Sequence, residues 1–353
     1  MRHVADTTRF AVLGLYLVLR ILVILVLVAG VGGCAPRGAL HFLPGAEVEG
    51  AAIQRVFVAT NRNLAQPDDP RIVAQSFGAT RDPALHYARL DISIPPTHAE
   101  GQIEWPGAAN VDPAKHFVVT DSTRLASQRD FLRAIDAALP TGSKEVVVFV
   151  HGYNVNNAEA VYRLAQIGHD FRARAPVVAY SWPSAGSPRG YVYDRDSVIF
   201  SRDGLETFLT DLTAGGKRRV LLVGHSMGTQ LVMEVLRQIS ISGDKSVLRR
   251  LNGVALISPD IDEDVFRRQA ARISPFPEPF LLAVSQDDLF LNISAWMTGK
   301  PTRLGSIGTR DALSDLPVQV VDLSGLEGGD RGGQSTAFTA PAAIERLRSL
   351  AGR

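Results

Sequence analysis

The chain has 353 residues, 46% of them apolar, which is enough to bury a full core around one α/β domain once a leader is set aside. Lys and Arg number 37 against 36 Asp and Glu, a formal net charge of +1. No long run of one sign occurs, so nucleic acid is excluded as an expected partner. The single cysteine, Cys34, has no intramolecular disulfide partner.

Arg2, His3 and Arg9 precede a stretch from Phe10 to Gly33 whose only charge is Arg20. That is the pattern of a charged n-region followed by the apolar h-region of an export signal. Val31-Gly32-Gly33-Cys34 resembles the lipobox of bacterial lipoproteins, in which the cysteine takes the lipid and becomes the first residue of the mature chain. The resemblance implies a signal peptide over residues 1–33 and a lipid-anchored protein of the cell envelope facing the periplasm. Ala35, rather than Asp, after the cysteine favours the outer membrane. The alternative is an uncleaved inner-membrane anchor, because Phe10 to Gly33 exceeds the roughly 20 residues that span a bilayer and Arg20 would mark its cytoplasmic end.

Residues 34–52 are punctuated by Gly and Pro and lack a period, as a tether would. The folded part is expected over 53–353, divided into an N-terminal β extension (53–143) and a catalytic core (144–353). Gln54 to Thr60 and His86 to Ile94 alternate like half-buried strands and supply that extension. From Glu145 the pattern turns to strand and helix in alternation. Val146 to Val150 is an unbroken apolar run, as a strand covered on both faces requires. A helix over 157–172, a strand over 177–182, a helix over 204–212 and a strand over 219–224 follow. A helix over 228–239, strands over 253–258, 280–285 and 318–323, and a helix over 341–350 complete the series. Such alternation predicts an α/β fold with a mostly parallel central sheet, helices on both faces, and a ligand site at the carboxyl ends of the strands.

Gly224-His225-Ser226-Met227-Gly228 falls between a strand run and a helix run, the context in which G-x-S-x-G is a nucleophile elbow. The glycines let a strand turn sharply into a helix, exposing the Ser226 hydroxyl. The Met227 N–H, at the start of the helix, would face a developing oxyanion. His151-Gly152-Tyr153-Asn154 closes the first strong strand, where a second oxyanion donor belongs, from Tyr153 or Asn154. His151 itself is expected to brace that loop, and His225 and His169 to be structural. The strand over 280–285 ends in Gln286-Asp287-Asp288, placing a carboxylate at the rim. Asp288 is the first choice of acid and Asp287 the second, with Asp260 and Asp262 after the preceding strand as the alternative pair. Each of these can instead cap a helix.

The five ordered segments Val150-His151-Gly152-Tyr153-Asn154, Ala160 to Gln166, Ser181-Trp182-Pro183-Ser184, Tyr191-Val192-Tyr193-Asp194-Arg195 and Gly224 to Gly228, with Arg55 to Arg62 ahead of them, resemble the bacterial α/β-hydrolase family of unknown function. The resemblance implies an α/β-hydrolase fold, an esterase-like or lipase-like activity, and frequent export as a lipoprotein. It also exposes a departure. Where the family carries its late histidine, this chain reads Gly333-Gln334-Ser335, and no histidine follows His225. In this fold the triad runs serine, acid, histidine along the chain, so Gln334 stands in the base's place. A glutamine amide can hydrogen-bond to a serine but cannot take its proton near neutral pH. In a serine protease, loss of the base costs about 10⁶ in turnover, leaving about 10³ to 10⁴ over water.

Two functions follow. The first is an exported serine hydrolase acting on an ester or amide of a small molecule or lipid, with its base impaired or recruited from His151 or a carboxylate such as Asp330. The second is a pseudo-hydrolase that binds a lipid, glycan or protein partner in the envelope. No cofactor is expected, since no G-x-G-x-x-G follows the first strand and no G-x-x-x-x-G-K-[ST] occurs. No metal is expected either, because the eight histidines have no close pair of ligand-like spacing. Trp182, Tyr191 and Tyr193 would either pack in the core or line an apolar pocket.

Overall fold

The computed structural model describes residues 38–65, 77–107, 110–242, 244–288, 291, 303–306, 313–326 and 335–351. The leader, Cys34, Asp330 and Gln334 lie outside the described residues. Among the described residues no helix is long and apolar enough to cross a membrane.

Nine strands form one sheet in the order β3-β2-β1-β5-β4-β6-β7-β8-β9. They are β1 (Ala52–Leu64), β2 (Phe77–Ile94), β3 (Val118–Leu125), β4 (Glu145–Val150), β5 (Val177–Ser181), β6 (Arg219–His225), β7 (Leu251–Ile257), β8 (Phe280–Val284) and β9 (Gln319–Asp322). From β1 through β5, β4 and β6 to β9 every pairing is parallel; only the β1–β2 and β2–β3 pairings are antiparallel. The expected N-terminal β extension adds its strands to this same sheet. β1 pairs with β5 from Val56↔Val177 to Thr60↔Ser181 and carries the sheet outward to β2 and β3.

The central strand β4 explains why the sheet is covered twice. Val146, Val148 and Val150 point into one apolar cluster and Phe149 into the other, because successive side chains of a strand face opposite sides. The first cluster takes Phe131 and Ile135 of α1 (Gln128–Ala138), Leu205, Phe208 and Leu209 of α4 (Arg202–Thr213), and Leu231, Val235 and Leu236 of α5 (Gly228–Ser242). The second takes Val161, Leu164 and Ala165 of α2 (Asn157–Asp170), together with α7 (Thr336–Thr339) and α8 (Pro341–Ala351) through Phe338, Ala343 and Leu347. Helices thus lie on both faces, as the alternating pattern requires.

Elements left unread in the sequence have local reasons for their silence. β3 buries only its first two residues and ends in an exposed polar run, so it lacks alternation. In α3 (Tyr191–Phe200), Val192, Ile199 and Phe200 remain exposed while Asp194 and Ser197 are buried beside Tyr191 and Val198, which blurs the usual stripe. Helix α6 (Glu263–Ala270) is short and highly charged, and is started by Asp262, whose side chain accepts the Asp264 and Val265 N–H groups.

Candidate active site

The carboxyl end of β6 turns into α5 through Gly224–Gly228. Ser226 adopts φ +51°, a left-handed conformation that costs a residue with a β-carbon about 1–2 kcal/mol. The strain is held by neighbours. The Ser226 N–H donates to Ile257 O at 2.9 Å, and its carbonyl accepts the Thr229 N–H at 3.0 Å and the Thr229 hydroxyl at 2.5 Å. Two glycines let the loop after β4 lie against this turn. A β-carbon on Gly228 would stand 2.3 Å from the His151 carbonyl oxygen, and one on Gly152 would stand 2.9 Å from the Ser226 β-carbon. The elbow and the His151–Asn154 loop are therefore packed backbone to backbone, and Ser226 is only 1% exposed.

The oxyanion candidates separate. The Met227 and Tyr153 N–H groups have no hydrogen-bond acceptor among the described residues. The Asn154 N–H instead donates to Asp194 Oδ2 at 2.9 Å, so that donor, one of the pair expected from sequence, is already engaged. Asp194 is fully buried, and it also accepts the Ser184 hydroxyl at 2.6 Å and the Ala185 N–H at 2.7 Å. Sequence reasoning gave Asp194 no role, for nothing in its spacing links it to Asn154. Its place within the Tyr191–Arg195 segment is the signal that was present.

Arg62 was also missed. Its guanidinium is buried, donating from Nη2 to Val155 O at 2.8 Å, from Nη1 to Ser184 O and Gly78 O at 3.1 Å each, and from Nε to Ser181 Oγ at 2.9 Å. Burial lowers its pKa to about 10, against an upward pull from Asp194. It therefore stays cationic at neutral pH and pins the loop from below. His151 fits the bracing role. Its Nδ1 is 2.9 Å from Gly152 O, its Nε2 lies 3.1 Å from Trp182 O and 3.5 Å from Arg62 Nη2, and its ring stacks on buried Trp182 at 4.8 Å. Burial, then the Arg62 charge, pulls its pKa down to about 3. Both ring nitrogens face backbone or guanidinium, so His151 is not placed as a substitute base. The His225 ring packs edge-on against Phe338 at 5.4 Å.

The carboxylates also differ. Asp288 follows β8 and is fully buried, with Oδ1 accepting the Leu291 N–H at 3.0 Å. Asp287 is exposed and accepts the Gly325 N–H at 2.7 Å. Asp260 is buried, with Oδ1 at 3.1 Å from Arg303 Nε and Oδ2 accepting the Tyr191 hydroxyl at 3.2 Å. Asp262 caps α6. Ser226, Asp260 and Asp288 thus stand at the carboxyl ends of the neighbouring strands β6, β7 and β8. Trp182 belongs to the core, and the Tyr193 hydroxyl donates to Ala79 O at 3.0 Å under a cation–π contact from Arg81. A cavity of about 500 Å³ between α3, α5 and α6 is lined by Val198, Ile199, Gln230, Ile261, Val265 and Arg303.

The histidines have no close pair in sequence, but the fold brings two of them together. Among the described residues His98, His169 and Asp170 bring their donor atoms within 4.8 Å of one another, on a part of the fold away from the elbow. Folding places residues distant in sequence side by side.

A parallel sheet covered on both faces, with a serine in a left-handed turn between strand and helix, defines the α/β-hydrolase fold. The chain belongs to the family described as alpha/beta hydrolase of unknown function (DUF900), whose model matches residues 127–352. No curated protein matches the chain. Among solved structures it is similar to a dienelactone hydrolase from Anabaena variabilis at 15% identity, covering 60% of this chain and 86% of that one with a TM-score of 0.38. It is also similar to an esterase from Pyrobaculum calidifontis at 11% identity (76% and 80% covered, TM-score 0.37). A thermostable esterase from Pseudomonas putida aligns at 12% identity (87% and 83% covered, TM-score 0.38).

Proposed function

We propose that the protein is a serine hydrolase of the esterase or lipase type, exported and anchored in the cell envelope through a lipid on Cys34. Ser226 is the nucleophile, the Met227 and Tyr153 N–H groups bind the oxyanion, and Asp288 is the acid. The observation that carries this reading is the left-handed Ser226 beneath the His151–Asn154 loop, with those two N–H groups unengaged among the described residues. Attack of Ser226 Oγ on an ester carbonyl moves charge onto the carbonyl oxygen, where a preorganised N–H pair stabilises it by several kcal/mol, about 3–4 for one such donor in a protease. With no histidine to carry it, the Ser226 proton passes through water to the departing alkoxide, which leaves as the alcohol; a second water then hydrolyses the acyl-serine, releasing the acid and restoring the Ser226 hydroxyl.

The chain supplies no late histidine, and His151 is held neutral by burial with both nitrogens facing other groups. Turnover is therefore expected to be slow. That same fact favours a second reading, a pseudo-hydrolase that binds an envelope lipid, glycan or protein. Hydrolysis of p-nitrophenyl butyrate by the full-length protein in detergent separates the two, with Ser226→Ala and Gln334→His run in parallel. Slow wild-type hydrolysis that falls to background in Ser226→Ala, and rises in Gln334→His, is the result expected of the enzyme. Wild type equal to Ser226→Ala, with turnover appearing only in Gln334→His, would establish the pseudo-hydrolase. Palmitate labelling that disappears in Cys34→Ala checks the anchor.

A further inference from the structure

Ligand-type side chains with no part in the elbow meet where the connection between β2 and β3 crosses the end of α2. His98 lies in the connection; His169 and Asp170 close the helix. His98 Nε2 is 2.8 Å from Asp170 Oδ1, and the two imidazole rings stand edge to face with centroids 5.3 Å apart. The His98 and Asp170 side chains are 7% and 2% exposed, so a cation here would be held largely out of water.

The surroundings orient these donors. Glu104 Oε2 is 2.8 Å from His98 Nδ1, while its other oxygen accepts the Ala99 N–H at 2.9 Å. Nε2 is hydrogen-bonded to Asp170 Oδ1 in this structure; with the Nδ1 proton kept toward Glu104, a cation would displace the Nε2 proton, giving the carboxylate–histidine arrangement that supports a bound metal. Asp170 Oδ2 is occupied by the Gly101 N–H at 2.7 Å and the Gln166 amide at 2.6 Å, which fixes Oδ1 toward His98. A proton shared by His98 and its two carboxylates would satisfy those three groups. His169, packed edge to face on His98, makes no hydrogen bond through its imidazole among the described residues and adds a third donor to the cluster.

We propose that His98 Nε2, the His169 imidazole and Asp170 Oδ1 form a divalent transition-metal site, with zinc the preferred ion. Two imidazoles and one carboxylate, completed by water, make a tetrahedral set that suits zinc. Glu104 is the positioning residue. The ion cross-links the fold and keeps one position for water. It ties the β2–β3 connection to α2 and, because the Gln166 amide also donates to Phe338 O at 2.9 Å, to α7 beyond.

The test uses the untagged full-length protein in detergent, stripped with EDTA, dialysed, and titrated with ZnCl2 by calorimetry, with bound metal counted by mass spectrometry and melting followed in parallel. One zinc per chain and a higher melting temperature are expected, with binding lost in His169→Ala while its circular dichroism stays native. Should His169→Ala fail to fold, Glu104→Gln takes over, with zinc affinity expected to fall about tenfold or more. No zinc retained and no rise in melting temperature in the wild type overturns the site. So does wild-type affinity in whichever variant folds; the cluster is then a proton-bridged clamp.

Discussion

Gly152 and Gly228 mark where one added methyl group would be felt most directly at the elbow. At Gly228 the obstacle is the His151 carbonyl oxygen, 2.3 Å from the new β-carbon, and backbone cannot swing aside as a flexible side chain can. Gly228→Ala is therefore expected to destabilise the protein by about 2–3 kcal/mol, read as a lower urea midpoint. Gly152→Ala meets the Ser226 β-carbon at 2.9 Å and should depress any Ser226-dependent esterase activity more than it depresses stability. Arg62 is the matching case for polar groups. Arg62→Leu keeps apolar bulk but removes the donors to the Val155 and Ser184 carbonyls, each worth about 1–3 kcal/mol when left buried and unsatisfied. A melting temperature within a degree of wild type would contradict the role given to it. Asp194 belongs with Arg62, since its carboxylate holds Asn154, Ser184 and Ala185 together. Ser226 and its glycines were legible from the pentapeptide. Arg62 and Asp194 were not, because a buried charge is identified by what surrounds it.

Helix α2 follows directly from the loop that crosses the elbow, and its start is set by sequence. Asn156 accepts the Glu159 N–H at 2.8 Å while Glu159 Oε2 accepts the Asn156 N–H at 2.9 Å, a complete capping box. Asn156→Ala should cost about 1 kcal/mol, with the loss measured by denaturant titration and little change in the site's chemistry. The long strands and helices of the parallel core were read within a few residues because their apolar pattern was strong. α3 was missed because its outward face carries Val192, Ile199 and Phe200 while its inward face mixes Asp194 and Ser197 with Tyr191 and Val198. That mixture places a carboxylate where the loop after β4 needs an acceptor, so the element hardest to read is the one that supports the site.

At the scale of the whole molecule, burial of His151 makes stability depend on pH in a defined direction. His151 is neutral in both folded and unfolded states above its ordinary value of 6.5. Below that value the unfolded chain takes up a proton that the folded protein refuses until about pH 3. Its contribution is therefore full above pH 6.5 and is lost progressively as pH falls toward 3. Urea midpoints followed down from pH 7 should decline less steeply in His151→Asn than in wild type; parallel curves would remove His151 from the account. The sequence by itself determined the elbow, the order of strands and helices in the core, and the absence of a histidine after His225, since each is written in local spacing or composition. Tertiary structure alone decided that Asp194 rather than an oxyanion takes the Asn154 N–H, that the N-terminal strands join the main sheet through β5, and that His98 meets His169. Each of those depends on contacts between residues far apart along the chain, which no local pattern records.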